Sequence, residues 1–261
     1  MPAAGKKYYF VSSLAKGLKV MELLSENEAL SVSEVARHLG YNRASSHRFL
    51  ATLKELGYVE KTAENHYRLT YKIFRMGTRV VDRFKIRQAA RPLMSELSQA
   101  FKETINLGYL DGSEVLHIDK IDSPEVLRMD SLLGSRAPAY CTALGKSILA
   151  FLPDADRDRI LDTIELKPRG PKTITSKKAL QKELAKIRHK GYAVDNEELS
   201  RGLRCVAAPI FDHTGISCFS ISVAGPVSRV TRSRVKEIQK EVRRVCRTLS
   251  QKFGNRTSDD S

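Results

Sequence analysis

The chain of 261 residues has no tryptophan, and phenylalanine and tyrosine contribute only nine residues each, so its cores must be built mainly from aliphatic side chains. Its four cysteines, Cys141, Cys205, Cys218 and Cys246, lie far apart and never form a pair with metal-ligand spacing. That excludes a zinc ribbon or finger and argues for free, mostly buried thiols in a reducing compartment. No apolar run approaches the roughly 20 residues needed to span a bilayer, which excludes a transmembrane helix. The opening "MPAAGKKYYFVSSLAKG" has lysines but no apolar segment behind them, so no secretion signal is expected and cytoplasmic residence is. Neither a phosphate-binding glycine loop nor a metal-binding motif is present, and no cofactor is expected. Acidic residues are also in deficit.

Against 30 Asp and Glu stand 45 Lys and Arg, a formal charge of +15 that makes polyanions the first partners to consider. The excess is uneven. Residues 1–84 carry 14 basic and 8 acidic side chains, residues 85–228 carry 21 and 18, and residues 229–261 carry 10 and 4. The charge concentrates at both ends, and the length fits two domains.

At the amino-terminal end, Ser12-Ser13 is suited to cap a helix with Leu14, Leu18, Met21 and Leu24 at helical spacing. Ser31 with Glu34 three residues on forms a capping box for a short second helix that Gly40 stops. Asn42 then caps a third helix, and two short helices joined by a tight glycine-containing turn make a helix-turn-helix. At about 100° per residue, Phe49, Leu53 and Leu56 share the core side of the third helix, with Leu50 at its margin. The opposite side carries Arg43, Ala44, His47, Arg48, Ala51 and Lys54, bordered by Ser45 and Ser46. Small alanines beside cations let such a helix lie deep in a groove. "YVEK" and "HYRL" flank a turn and read as a hairpin wing with Lys61, His66 and Arg68. A basic face alone is equally explained as solvated surface; the ordered set of caps, turn and hairpin favours DNA. The candidate DNA-contacting set is Ser31, Asn42, Arg43, Ala44, Ser45, Ser46, His47, Arg48, Lys54, Lys61 and Arg68.

Beyond the wing, apolar residues at helical spacing, including Val80, predict a connecting helix to about Phe84. A second helix follows, accommodating Pro92 in an early turn. "INLGYLDGSEVLHIDKI" reads as a hairpin around Asp111-Gly112, and "VLRMDSLL" as a third strand. Helices over "TALGKSILAFLP", "DADRDRILDTI" and "SKKALQKELAKIRHKG", strands over "YAVD", "CVAAPIF" and "SCFSISVAGP", and a basic helix from Thr231 to Phe253 complete an α+β sandwich. The small-residue start of the "LGKS" helix leaves the amides of Ala143, Leu144 and Gly145 free for an anion, unless they serve only a structural cap.

The blocks "SLAKGLKVMELL", "SVSEVARHLGYNRASSHRFLATLKELGYVE", "GSRAPAYCTALGKSILAFLP" and "IRHKGYAVDNEELSRGLRCVAAPIFD", in this order, resemble the IclR family of bacterial transcription regulators from about Val11 to about Phe253. The resemblance implies a winged helix-turn-helix over residues 9–70, a linker helix over 71–85 and a GAF-like effector-binding domain over 86–254. It also implies a double-stranded DNA operator, self-association as dimer or tetramer, no membrane, and a small organic acid as effector. Carried over by position, the effector residues are Ala143, Leu144, Asp195, Cys205 and Ser222. Where some relatives have Ser-X-Ser in the last strand, this chain has Ser222 followed by Ala224, and Ala143 replaces a glycine. The loop with Tyr140 and Cys141 looks more like relatives that answer to aromatic acids. Two other readings remain: an enzyme with a DNA-binding appendage using Cys205 as nucleophile, and a nonspecific nucleic-acid binder driven by charge, with Arg243, Arg244 and Arg247 either solvated or on flanking DNA.

Overall fold

The computed structural model describes residues 10–83 and 85–255, with the side chains of 78–83 left undescribed. The Val80 side chain and the linker's expected end near Phe84 therefore lie outside the described residues. Contacts divide the chain between Arg83 and Phe84 into two units.

In the first unit, α1 (Ser12–Ser25) has Val11 as its N-cap and no side-chain cap, so Ser12-Ser13 does not cap it. It buries Val20 and Leu24 and leaves Leu14 and Leu18 exposed. The expected stripe turns inward only at its carboxy-terminal end. Helix α2 (Val32–Leu39) begins with the capping box: the Glu34 amide donates to Ser31 Oγ at 3.3 Å, and the Ser31 amide to Glu34 Oε2 at 2.8 Å. Gly40 ends it at φ 66°, a left-handed conformation that glycine adopts without a Cβ clash. Helix α3 (Arg43–Glu55) is capped by Asn42, whose Oδ1 accepts from the Ser45 amide at 2.7 Å. Strands β1 (Val59–Lys61) and β2 (Tyr67–Leu69) form the expected antiparallel wing. Helix α4 (Tyr71–Arg83) follows.

The core face of α3 differs from the sequence expectation. Ser46, Leu50 and Leu53 are buried, whereas Phe49 is only partly covered and Leu56 is exposed. Leu53 belongs to both stripes, and the centre of the buried one is turned by about 60° from the one anticipated. A small hydroxyl is tolerated inside because Ser46 Oγ donates to the Asn42 carbonyl one turn back, at 3.2 Å.

The second unit is built on a six-stranded antiparallel sheet in the order β5-β4-β3-β8-β7-β6. Its strands are β3 (Thr104–Asp111), β4 (Glu114–Ile121), β5 (Arg136–Pro138), β6 (Ala193–Asn196), β7 (Leu203–Phe211) and β8 (Ser217–Pro226). Helices α5 (Ile86–Phe101) and α9 (Arg234–Lys252) cover one face, packing Met94, Leu97, Val242 and Val245 against Ile105, Val206 and Val223. On the other face lie α6 (Ala143–Leu149), α7 (Asp154–Thr163) and α8 (Lys177–Lys190), with Ile148, Leu180 and Leu184 against Val115, Ala207 and Ala224. This is the α+β sandwich that the alternating pattern predicts.

Helix α5 begins before Pro92 and holds it in its second turn, as its seventh residue. One local expectation fails. "VLRMDSLL" is not a strand: residues 122–135 lack regular structure, and β5 comes later. That segment is fixed by discrete bonds instead, Thr104 Oγ1 to the Met129 carbonyl at 3.0 Å and Ser131 Oγ to Asn106 Oδ1 at 2.6 Å. At the end of the sheet the fully buried Glu103 accepts two 2.7 Å bonds from Arg229, tying the start of β3 to the chain after β8.

Candidate functional site

Two surfaces carry the residues singled out from the sequence. On α3, the direction opposite Leu50 and Leu53 presents Ala44, Arg48 and Ala51, all exposed, with His47 and Lys54 toward its flanks and Arg43, also exposed, at the helix start on the Leu50 side. No carboxylate pairs with Arg43, Arg48 or Lys54 among the described residues, so their charge is available to a polyanion. The other candidates are committed in part to the fold. Ser31 and Asn42 are occupied as caps, leaving only their remaining hydrogen-bonding capacity. Ser45 is partly covered. Ser46 is corrected: it is fully buried beneath the helix and cannot reach a groove. In the wing, Arg68 Nε pairs with Glu60 at 2.6 Å and Lys61 lies 5.9 Å from the Tyr67 ring centroid, so both are held against the hairpin.

The second surface is internal. Register across the sheet brings Asp195 opposite Cys205 on β6 and β7, and Asn106 opposite Ser222 on β3 and β8. Side chains alternate between faces, so these four point toward α6. The start of α6 completes the ring, because Thr142 Oγ1 accepts from the Gly145 amide at 3.1 Å and fixes the helix end. Gly145 is required there: a Cβ would lie 2.3 Å from the Ala139 backbone. This bond also corrects the sequence expectation, since the Gly145 amide is spent on the cap and only those of Ala143 and Leu144 remain.

All five residues carried over by the resemblance, Ala143, Leu144, Asp195, Cys205 and Ser222, line one cavity of about 20 Å³. Sequence reasoning missed Asn106, His117, Thr142 and Leu199 in the same lining. The missed signal was a polar Asn between Ile105 and Leu107 in a strand covered on both faces. Three buried polar atoms at this site have no hydrogen-bond partner: Asn106 Nδ2, His117 Nδ1 and Asp195 Oδ2. Groups of this kind are costly to leave unpaired, and a bound molecule or water relieves that cost. The volume as it stands holds about one water.

Burial dominates the electrostatics here. The Asp195 carboxyl is pushed up to about 7, because burial and the neighbouring Glu198 outweigh two backbone amides and Lys146. Its Oδ1 accepts from the Glu198 amide at 2.7 Å. Burial pushes the Cys205 thiol well above its ordinary value, with Asp195 adding to the effect. A nucleophilic cysteine needs the opposite shift. Lys146, fully buried on α6 and not anticipated from the sequence, donates to the Val194 carbonyl at 2.8 Å and to Glu198 Oε1. The pair ties α6 to β6 and the following loop, and Glu198 neutralises this cation.

Comparison with known proteins agrees with this architecture. The family model for the IclR carboxy-terminal region of bacterial transcriptional regulators matches residues 78–251, and that for the IclR helix-turn-helix domain matches residues 13–63. The chain is 37% identical over 245 residues to the HTH-type transcriptional regulator KdgR of Escherichia coli (strain K12), covering 94% of this chain and 93% of that protein. It is 31% identical over 257 residues to the transcriptional repressor IclR of the same strain, covering 97% and 92%. The crystal structure of the Thermotoga maritima IclR superposes with a TM-score of 0.82 at 35% identity, covering 94% of this chain and 99% of that one.

Proposed function

The chain belongs to the IclR family of bacterial transcriptional regulators, and from that premise we propose that a small organic acid, bound in the cavity beneath α6, controls its binding to a DNA operator. The protein is a DNA-binding regulator, not an enzyme, as its named relatives are.

The observation that carries the effector reading is the set of unpaired buried atoms, Asn106 Nδ2, His117 Nδ1 and Asp195 Oδ2, converging on one cavity. The amides of Ala143 and Leu144 suit the carboxylate. Asp195 suits a ligand hydroxyl or water, because a second carboxylate beside it would be repelled unless one of the two were protonated. Among the described residues no aromatic side chain other than His117 lines the cavity, and the Tyr140 hydroxyl donates to the Lys167 carbonyl. These features favour a compact, hydroxyl- or carbonyl-bearing acid over the aromatic one that the Tyr140 loop suggested. Since the cavity holds about one water, binding requires it to open, and the irregular segment 122–135 that contributes Met129 is the element suited to move.

The first unit supports self-association. Leu14, Leu18, Met21, Phe49, Leu56 and Met76 line an open apolar cavity of about 740 Å³ whose α3 edge carries Ser45 and Arg48, and a second copy would cover its apolar α1 and α4 side while leaving Arg48 at the rim. Ligand binding would then act as a coupling free energy, favouring one arrangement of the dimer and thereby the spacing of its two recognition helices.

A thermal-shift screen against short hydroxy- and keto-acids and against benzoates tests the effector reading. Native-state binding raises the melting temperature by an amount set by ligand concentration over Kd. The expected result is a shift with a short polar acid that Ser222→Val and Asn106→Leu abolish. Shifts that persist in both variants, or none with any acid, would contradict it.

A further inference from the structure

A second cavity, of about 220 Å³, lies where α8, β7 and α9 meet, and it shares no residue with the one beneath α6. Four cations line it: Arg188 and Lys190 at the end of α8, and Arg243 and Arg247 on α9. Among the described residues no carboxylate lines it.

The balance of these charges is poor. Arg188 reaches Asp154 at 3.4 Å, outside the cavity, and among the described residues Arg243 reaches only the Gln239 side-chain oxygen, also at 3.4 Å. Lys190 and Arg247 have no ion-pair or hydrogen-bond partner among the described residues. By contrast Arg244, one residue from Arg243 but turned away, is paired with both Glu96 and Glu241. The α8 cations do complement the negative end of that helix. That does not explain the α9 pair, whose like charges four residues apart repel each other.

The floor differs in chemistry from the walls. Phe151 and Phe211 meet edge to face with ring centroids 5.1 Å apart, and the buried Pro209 and Ala208 continue the apolar surface. Duplex DNA presents phosphates on a convex backbone flanked by sugars, which gains nothing from a recessed apolar floor. An organic anion uses both parts at once. Its flat body rests on Phe151, Pro209 and Phe211 while its charged group lies between Arg243 and Arg247, whose guanidinium forks match carboxylate, sulfonate or phosphate oxygens. The volume falls below the roughly 300–1,000 Å³ of drug-sized sites, so the occupant has one or two rings.

We propose that this cavity is a second ligand site, separate from the one beneath α6, that takes a small organic anion with a flat apolar body.

The test uses 2-naphthalenesulfonate as probe and the full-length protein at about 0.15 M salt, where long-range attraction is screened. Since the chain has no tryptophan, probe fluorescence is read by anisotropy with excitation beyond tyrosine absorption. Saturable binding is expected, weakened about tenfold or more in the exposed double variant Arg243→Ser/Arg247→Ser, as loss of charge-assisted hydrogen bonds implies. Excess 2-naphthalenemethanol or inorganic sulfate, each holding half of the chemistry, should displace the probe at least about tenfold less effectively than unlabelled benzoate or naphthoate does. The proposal is overturned by no saturable binding, by equal binding in the double variant, or by displacement by sulfate or 2-naphthalenemethanol as effective as by the aromatic acids. A lower salt slope of DNA binding in the double variant with unchanged probe affinity would instead make these arginines a DNA contact, and would also overturn it.

Discussion

Replacing Asp195 by Asn should remove a pH dependence of stability that burial of this one carboxyl imposes. The carboxyl is held up at about 7 against an ordinary 3.8. Between those values the native protein keeps a proton that the unfolded chain has released, so raising the pH through this window costs stability, and the loss levels off above about 7. At about 1.4 kcal/mol per pKa unit the full difference is about 4 kcal/mol. Asn keeps the acceptor for the Glu198 amide, since the bond uses a single oxygen, and it carries no charge to bury. The variant should therefore gain on the wild type by up to about 4 kcal/mol as the pH rises from 4 to 8. For a unit of this size that corresponds to roughly 10 °C in melting temperature. Circular dichroism melts of both proteins at four pH values measure it. A difference between the two that stays constant across the range would refute a raised Asp195 pKa, and with it the view that this carboxyl is neutral in a closed cavity.

Other perturbations follow from the same packing. Leu50→Ala, at a fully buried position on α3, should destabilise the first unit by about 2–5 kcal/mol, read from its denaturant midpoint, whereas Leu56→Ala should cost little. Arg229→Ala should leave Glu103 charged and buried without its bidentate partner. It should lower the stability of the second unit by about 3 kcal/mol in urea melts; a loss below about 1 kcal/mol would mean that water or Arg234 replaces the pair.

The amino-terminal architecture was legible because each boundary has a local cause. The Ser31-Glu34 box, Gly40 and the Asn42 cap act within a few residues and need no tertiary information. The facing of α3 was harder to read. Ser46 looks solvent-seeking, yet its hydroxyl is satisfied by its own helix, so it can sit in the buried stripe beside Leu50 and Leu53. On α1 the difficulty was an excess of apolar residues, since Leu14 and Leu18 remain exposed on the isolated chain. The third strand was misread because "VLRMDSLL" has the right composition but is anchored through Met129 and Ser131 rather than by a ladder. In the cavity, Ala143, Leu144, Asp195, Cys205 and Ser222 came through family resemblance. Asn106 and His117 depend on strand register, and Lys146 on its buried partner Glu198, neither of which spacing along the chain encodes.

The claim that α3 is the reading element is tested most directly by selecting binding duplexes from a random pool with the wild-type protein. The affinity of the best duplex is then compared with that of a scrambled one, for wild type and Arg48→Ala, across a salt series. The wild type should prefer the selected duplex by about a thousandfold or more. Arg48→Ala, on an exposed side chain, should lose most of that affinity without a change in melting temperature. Equal binding of both duplexes, or an Arg48→Ala protein that binds as the wild type does, would contradict a sequence-reading role for this face.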